Sequence, residues 1–157
     1  MVVDFKNLET NGVDSMKDMF YGCGIVKELK IVSLNTIHVK DMEGMFGSCD
    51  ELVSLDLSSI DTRNVRNMNT MFAHCCKLAS LDLSSIDTRN IQSMNYMLYC
   101  CRSLKRLNVL NIELHSLQSN RGIFYKCDNL QEIVLPSDYV SKQIITTALK
   151  DAGLAVL

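Results

Sequence analysis

The chain has 157 residues, a formal net charge of -2 and an apolar fraction of 47%, enough for one domain with a continuous core. Its 18 acidic and 16 basic side chains are interspersed, so there is no basic stripe of the kind a nucleic-acid-binding surface needs. No run of 18 apolar residues suggests a transmembrane helix, and Asp4, Lys6 and Glu9 interrupt any signal-peptide-like segment near Met1.

Residues 1–12 read as a fragment of a repeating unit, with Val3, Phe5, Leu8 and Thr10 matching Leu55, Leu57, Ile60 and Thr62. From Val13 the chain repeats every 26 residues. Cys23, Cys49, Cys75, Cys101 and Cys127 form one ladder, and Phe20, Phe46, Phe72, Leu98 and Phe124 form another. Met16, Met42, Met68 and Met94 keep the same interval, as do Leu29, Leu55, Leu81, Leu107 and Ile133. The next inward position carries Ile31, Leu57, Leu83, Val109 and Leu135, and the last ladder Leu34, Ile60, Ile86 and Ile112.

These spacings predict an α/β solenoid, leucine-rich-repeat-like, of 26-residue coils each with a short parallel strand and a short helical segment. Leu55-x-Leu57 has the period of two of a strand, leucines inward, with Ser54, Asp56 and Ser58 outward. Val65, Met68, Met71 and Phe72 fall on one face of about two helical turns, and Asn64 and Asn90 stand where N-caps would. The Asp61-Thr62 and Asp87-Thr88 pairs suit the polar turn before that segment. The expected organisation is a partial coil at 1–12, five coils at 13–138 and a helical cap with tail at 139–157. In the cap, Tyr139, Val140, Ile144, Ile145, Ala148 and Leu149 mark a helix ended by Asp151-Ala152-Gly153, and Leu154 to Leu157 a final strand or tail.

No catalytic, cofactor-binding or metal-binding residue is expected. The cysteine interval is the repeat interval and lacks the tight clustering of zinc ligands, so the ladder reads as buried thiols. Cys76 and Cys100 lie off the ladder and are expected near the surface, with a local disulfide between them as the alternative. His38, His74 and His115 share no ligand spacing and read as surface side chains.

The candidate binding face is the outward strand surface, Glu28, Lys30, Ser54, Asp56, Ser58, Ser80, Asp82, Ser84, Arg106, Asn108 and Glu132. Its charge passes from mixed, through an acidic and hydroxyl-rich centre, to basic near Lys105 and Arg106. No aromatic cluster marks a hot spot. The expected partner is a protein or an extracellular-matrix ligand, with no nucleic acid and no direct membrane insertion.

The phrase M-F-A-H-C-C-K-L-A-S-L-D-L-S-S-I-D-T-R-N-I at residues 71–91 resembles the BspA-like leucine-rich-repeat proteins. It resembles more closely their Mycoplasma-type lipoprotein repeat group. That resemblance implies a non-enzymatic cell-surface module for adhesion or host interaction, the alternative being an intracellular repeat scaffold. Location follows from the same choice: surface or secreted if part of a longer exported protein, cytoplasmic if complete.

Overall fold

The computed structural model describes residues 2–6 and 9–155. Leu8, Val156 and Leu157, to which the repeat and tail readings extended, lie outside the described residues.

Six short strands follow the chain: β1 (Val2–Asp4), β2 (Glu28–Val32), β3 (Ser54–Asp56), β4 (Ser80–Asp82), β5 (Arg106–Asn108) and β6 (Glu132–Val134). One helix, α1 (Tyr139–Asp151), closes the order. The strands form two separate three-stranded parallel sheets, β1-β2-β3 and β4-β5-β6. Pairing keeps the 26-residue interval between β2 and β3 and within β4-β5-β6, with Leu29 opposite Leu55 and Leu81 opposite Leu107. β1 pairs two residues further on, with Val3 opposite Ile31, so Val3 stands against the equivalent of Leu57 and not of Leu55 as its place in the repeat suggested.

The α/β leucine-rich-repeat-like solenoid is not what the chain forms. Among the described residues no 26-residue unit pairs a strand with a helix, and no single parallel ribbon joins all six strands. The ribbon breaks between β3 and β4, where Asp56 and Asp82 occupy equivalent places. Leu55, expected inside, is only half-buried beside this break, whereas Leu29, Leu81 and Leu107 are buried.

The helical reading fails for a reason visible in the backbone. In every unit two residues four apart hold positive φ, among them Thr70 (52°) and His74 (63°), Tyr96 (55°) and Cys100 (62°), and Gly122 (61°) and Lys126 (63°). A left-handed residue cannot continue a right-handed helix. The amides therefore alternate between two uses. Met71 and Ala73 donate to the carbonyls three residues back, Met68 and Thr70, at 3.3 and 2.9 Å. Met68, Thr70, Phe72 and His74 donate outward to Ser93, Asn95, Met97 and Tyr99 of the next unit at 2.7–2.9 Å. Each unit is thus bonded to its neighbour along the turn side even across the break between β3 and β4, and a chain of parallel bridges joins Ser15, Asp41, Asn67, Ser93 and Ser119.

Asn64 and Asn90 consequently cap nothing. Their side-chain amides donate across the layers to the carbonyls of Ile37 and Arg63, each at 2.7 Å. The threonines of the D-T turns are buried and serve two bonds at once. Thr62 Oγ1 donates to the Asp87 carbonyl at 2.9 Å and accepts the Asp87 amide at 2.7 Å, and Thr36 and Thr88 do the same one layer either side. This satisfies polar backbone at the core edge, where an unpaired group costs about 1–3 kcal/mol.

The interior holds stacked ladders. Phe20, Phe46 and Phe72 lie parallel, with ring centroids 5.5 and 5.7 Å apart. Cys49, Cys75, Cys101 and Cys127 are buried and donate their thiol protons to the carbonyls of Phe20, Phe46, Phe72 and Leu98 at 3.0–3.3 Å. Cys23, in the first unit, is half-buried. All seven cysteines are free, and Cys100, expected near the surface, is only 2% exposed. Its amide is tied to the Tyr125 carbonyl at 2.9 Å, which holds the residue within the stack. Cys76 is half-buried, so the alternative of a Cys76–Cys100 disulfide is not realised.

At the C-terminal end Asp138 caps α1 by accepting the Ser141 amide at 2.9 Å, and Gly153 (φ 73°) takes the left-handed turn after it. Ile145, Ala148 and Leu149 join the core, and the buried Ser141 hydroxyl accepts the Leu114 amide at 2.8 Å. Leu114 stands where earlier units have threonine, and there the helix ties down the backbone amide of that position itself.

Candidate functional site: a tyrosine-lined groove

The turn side of the stack carries a groove of about 890 Å³ reaching from Tyr21 in the first unit to the end of α1. Four of the chain's five tyrosines line it, Tyr21, Tyr96, Tyr99 and Tyr125, together with His74 and Arg121. Repetition assembles this cluster: residues 21, 99 and 125 share one position of the 26-residue unit. The same position is Gly47 and Ala73 in the second and third units.

Tyr99 is the centre. Tyr125 stacks on it at 6.4 Å between centroids, while Tyr96 and His74 meet it edge-on at 5.9 and 5.1 Å. The Lys126 ammonium sits 5.4 Å from the Tyr99 ring centroid. Two other rings rest on glycines of the next unit. A Cβ on Gly47 would meet the Tyr21 ring at 2.8 Å, and one on Gly122 the Tyr96 ring at 2.6 Å. Those glycines are what let the tyrosines lie down and leave the groove open. Tyr21 and Tyr125 nevertheless keep more than half of their surface exposed. An exposed tyrosine offers an apolar face and a hydroxyl with few rotatable bonds, a combination favoured in binding sites.

The predicted binding face is distributed differently from its expectation. Glu28 and Lys30 pair in register with Ser54 and Asp56 in the first sheet, and the Lys30 ammonium approaches Asp56 at 3.9 Å. Ser80, Asp82, Arg106, Asn108 and Glu132 belong to the second sheet, over a shallow depression of about 320 Å³. Ser58 and Ser84 follow β3 and β4 and tie off the aspartates. Hydrogen bonds from the Ser58 hydroxyl and amide, at 2.6 and 3.0 Å, hold the Asp56 carboxyl below its ordinary value, and Ser84 does likewise for Asp82. Because β3 and β4 are not paired, these residues form two patches and not one continuous face.

The expectation that no aromatic cluster exists is therefore overturned. Its signal was present in the sequence as Tyr21, Tyr99 and Tyr125 at multiples of 26, a polar-looking column beside the apolar ones. Of the histidines, His74 lies in the groove and His115 stands 3.6 Å from Asp138. Among the described residues no group of three or more His, Cys, Asp or Glu is placed to hold a metal ion.

A family model described as Mycoplasma protein of unknown function, DUF285, matches residues 14–136. No curated protein matches the chain, and no solved structure does. The match corrects the resemblance to BspA-like leucine-rich-repeat proteins, with which the separate sheets and helix-free units also disagree.

Proposed function

Because the chain belongs to the DUF285 family of Mycoplasma proteins of unknown function, we propose that it is a non-enzymatic binding module that acts at the cell surface and holds a protein partner in the tyrosine-lined groove. The observation that carries this reading is the convergence of Tyr21, His74, Tyr96, Tyr99 and Tyr125 on one open groove. Tyrosines concentrate binding energy, and a long groove suits an extended ligand.

The chemistry of the carboxylates supports a non-enzymatic role. Asp56 and Asp82 are held in the ionised form by serine hydrogen bonds, the opposite of what a general acid at neutral pH needs. Among the described residues no helix is long and apolar enough to cross a membrane, so attachment to a surface would come from a partner or from another part of a longer protein. The buried thiols are compatible with an oxidising exterior, because burial pushes the Cys49 thiol up to about 11 and Cys127 to about 12. The thiolate is the reactive form, and little of it exists there at neutral pH.

The test is quantitative binding of the purified protein to extracellular-matrix proteins and to intact host cells. Tyr99→Ala and Tyr125→Ala are expected to weaken binding by about tenfold or more. An Asp56→Lys, Asp82→Lys double variant is expected to leave it unchanged. The reverse pattern would move recognition to the strand patches. The seven free cysteines favour a second reading, an intracellular scaffold in a reducing compartment. Resistance of the protein in intact cells to added protease, with loss of that resistance on lysis, would select it.

A further inference from the structure

The last unit carries an unfinished hydrogen-bond row. At every internal junction four alternate amides on the turn side donate to four carbonyls of the next unit. Met94, Tyr96, Leu98 and Cys100 reach Ser119, Arg121, Ile123 and Tyr125 at 2.7–3.0 Å, and the three earlier junctions repeat the pattern. One unit further on, the equivalent donors are the amides of Asn120, Gly122, Phe124 and Lys126. Among the described residues none of these four has an acceptor.

Where the next unit would lie there is α1, which packs Ile145, Ala148 and Leu149 into the core and spends its own backbone groups internally. Its last turn leaves room, because the side chains it presents to the groove beside Asn120, Gly122 and Tyr125 include the small Ala148 and Ala152. Open amides on alternate residues, bordering a groove, form the edge to which an extended segment adds.

The geometry points to strand addition at this edge: an extended peptide segment with an acidic side chain opposite Arg121 lies between residues 120–126 and the end of α1. Its alternate carbonyls accept the amides of Asn120, Gly122, Phe124 and Lys126. This rests on the groove reading above and states which part of the groove holds backbone and which holds side chains. Tyr125 and Tyr99 face the segment's side chains. The acidic preference comes from Arg121, an exposed groove side chain with no ion pair among the described residues. The Lys126 ammonium lies over the Tyr99 ring, and Asp151 lines the same end of the groove, so the preference is for one acidic side chain opposite Arg121. One internal junction shows the same pairing, since Lys17, the equivalent of Arg121, meets Glu43 of the next unit at 2.8 Å.

The probe is the synthetic peptide Val-Lys-Asp-Met-Glu-Gly-Met-Phe-Gly-Ser, identical to residues 39–48. It is acidic and carries the carbonyls of Asp41, Glu43, Met45 and Gly47, which are the acceptors at the first internal junction, and its Glu43 falls opposite Arg121. Amide hydrogen exchange of the full chain is followed by NMR with and without it. Saturable binding that slows exchange at Asn120, Gly122, Phe124 and Lys126 is expected, together with an Ala152→Trp variant that folds normally and binds at least about tenfold more weakly. Absence of binding, or binding that leaves those four amides unchanged, overturns strand addition; this measurement on the unaltered protein holds even if the variant misfolds. Slowing that grows with protein concentration in the absence of peptide overturns it in favour of a second copy of the chain. Loss of matrix or cell binding in Tyr99→Ala, with the four amides unprotected, would retain the groove reading and remove this one.

Discussion

A thiol in this molecule is a structural donor. Cys75 sits in the centre of the ladder with its proton on the Phe46 carbonyl at 3.2 Å, and burial pushes its thiol well up. Two predictions belong to this scale. Brief alkylation of the folded protein, read by peptide mass mapping, should label the half-buried Cys23 and Cys76 before the buried Cys49, Cys75, Cys101 and Cys127. Equal labelling of all seven would contradict the ladder. The pH dependence follows from the same shifts. The fold favours the protonated thiol, so this stability is complete below the unfolded value of about 8.5 and declines as pH rises toward the folded value, about 11 for Cys49. Thermal midpoints should fall across that window, and Cys49→Ala should fall less steeply than the unaltered protein.

The turn segments and strands differ in what a substitution removes. Thr70 holds φ 52° with a branched Cβ, a conformation that costs about 1 kcal/mol relative to glycine. Thr70→Gly should therefore be stabilising by up to about 1 kcal/mol in urea denaturation, whereas a true helix would lose about 0.3 kcal/mol on exchanging threonine for glycine. On β4 the contrast is between faces. Leu81 is buried and Ser80 exposed, so Leu81→Ala should cost about 2–4 kcal/mol and Ser80→Ala under about 0.5 kcal/mol. Equal urea midpoints would invert the inward and outward assignment. These elements show how far the sequence could be read. The period of two at Leu55-x-Leu57 located a strand, because alternation has one structural meaning. Val65, Met68, Met71 and Phe72 satisfied a helical period equally well with successive turns, because spacing reports which side chains face the core and is silent about φ.

At the scale of the whole molecule, stability comes from repetition of one junction, four times on the turn side and four times along the strands. Ion pairs add to it at the surface. Arg63 and Arg89, through side-chain hydrogen bonds to Asp61 and Asp87, hold those carboxyls below their ordinary value, and Lys17 does so for Glu43. Lowered carboxyls contribute stability above the unfolded value of about 4 and lose it as pH falls through the folded value. The thermal midpoint is thus expected to drop with acidification below about pH 4, and less so in Asp61→Asn, Asp87→Asn. All three carboxyls are partly exposed, so high salt should blunt the effect.

The sequence by itself determined the 26-residue register and nearly every core position, since a side chain that must be buried in each unit leaves an apolar column at a fixed interval. It also carried α1, through the apolar spacing from Tyr139 to Leu149 and the glycine that follows. Only the tertiary structure decided that the units contain no helix, that the strands divide into two sheets, and that Tyr21, Tyr96, Tyr99 and Tyr125 share a groove. Each of these depends on where backbone amides find acceptors in the neighbouring unit, a choice made between layers and not within any stretch of chain.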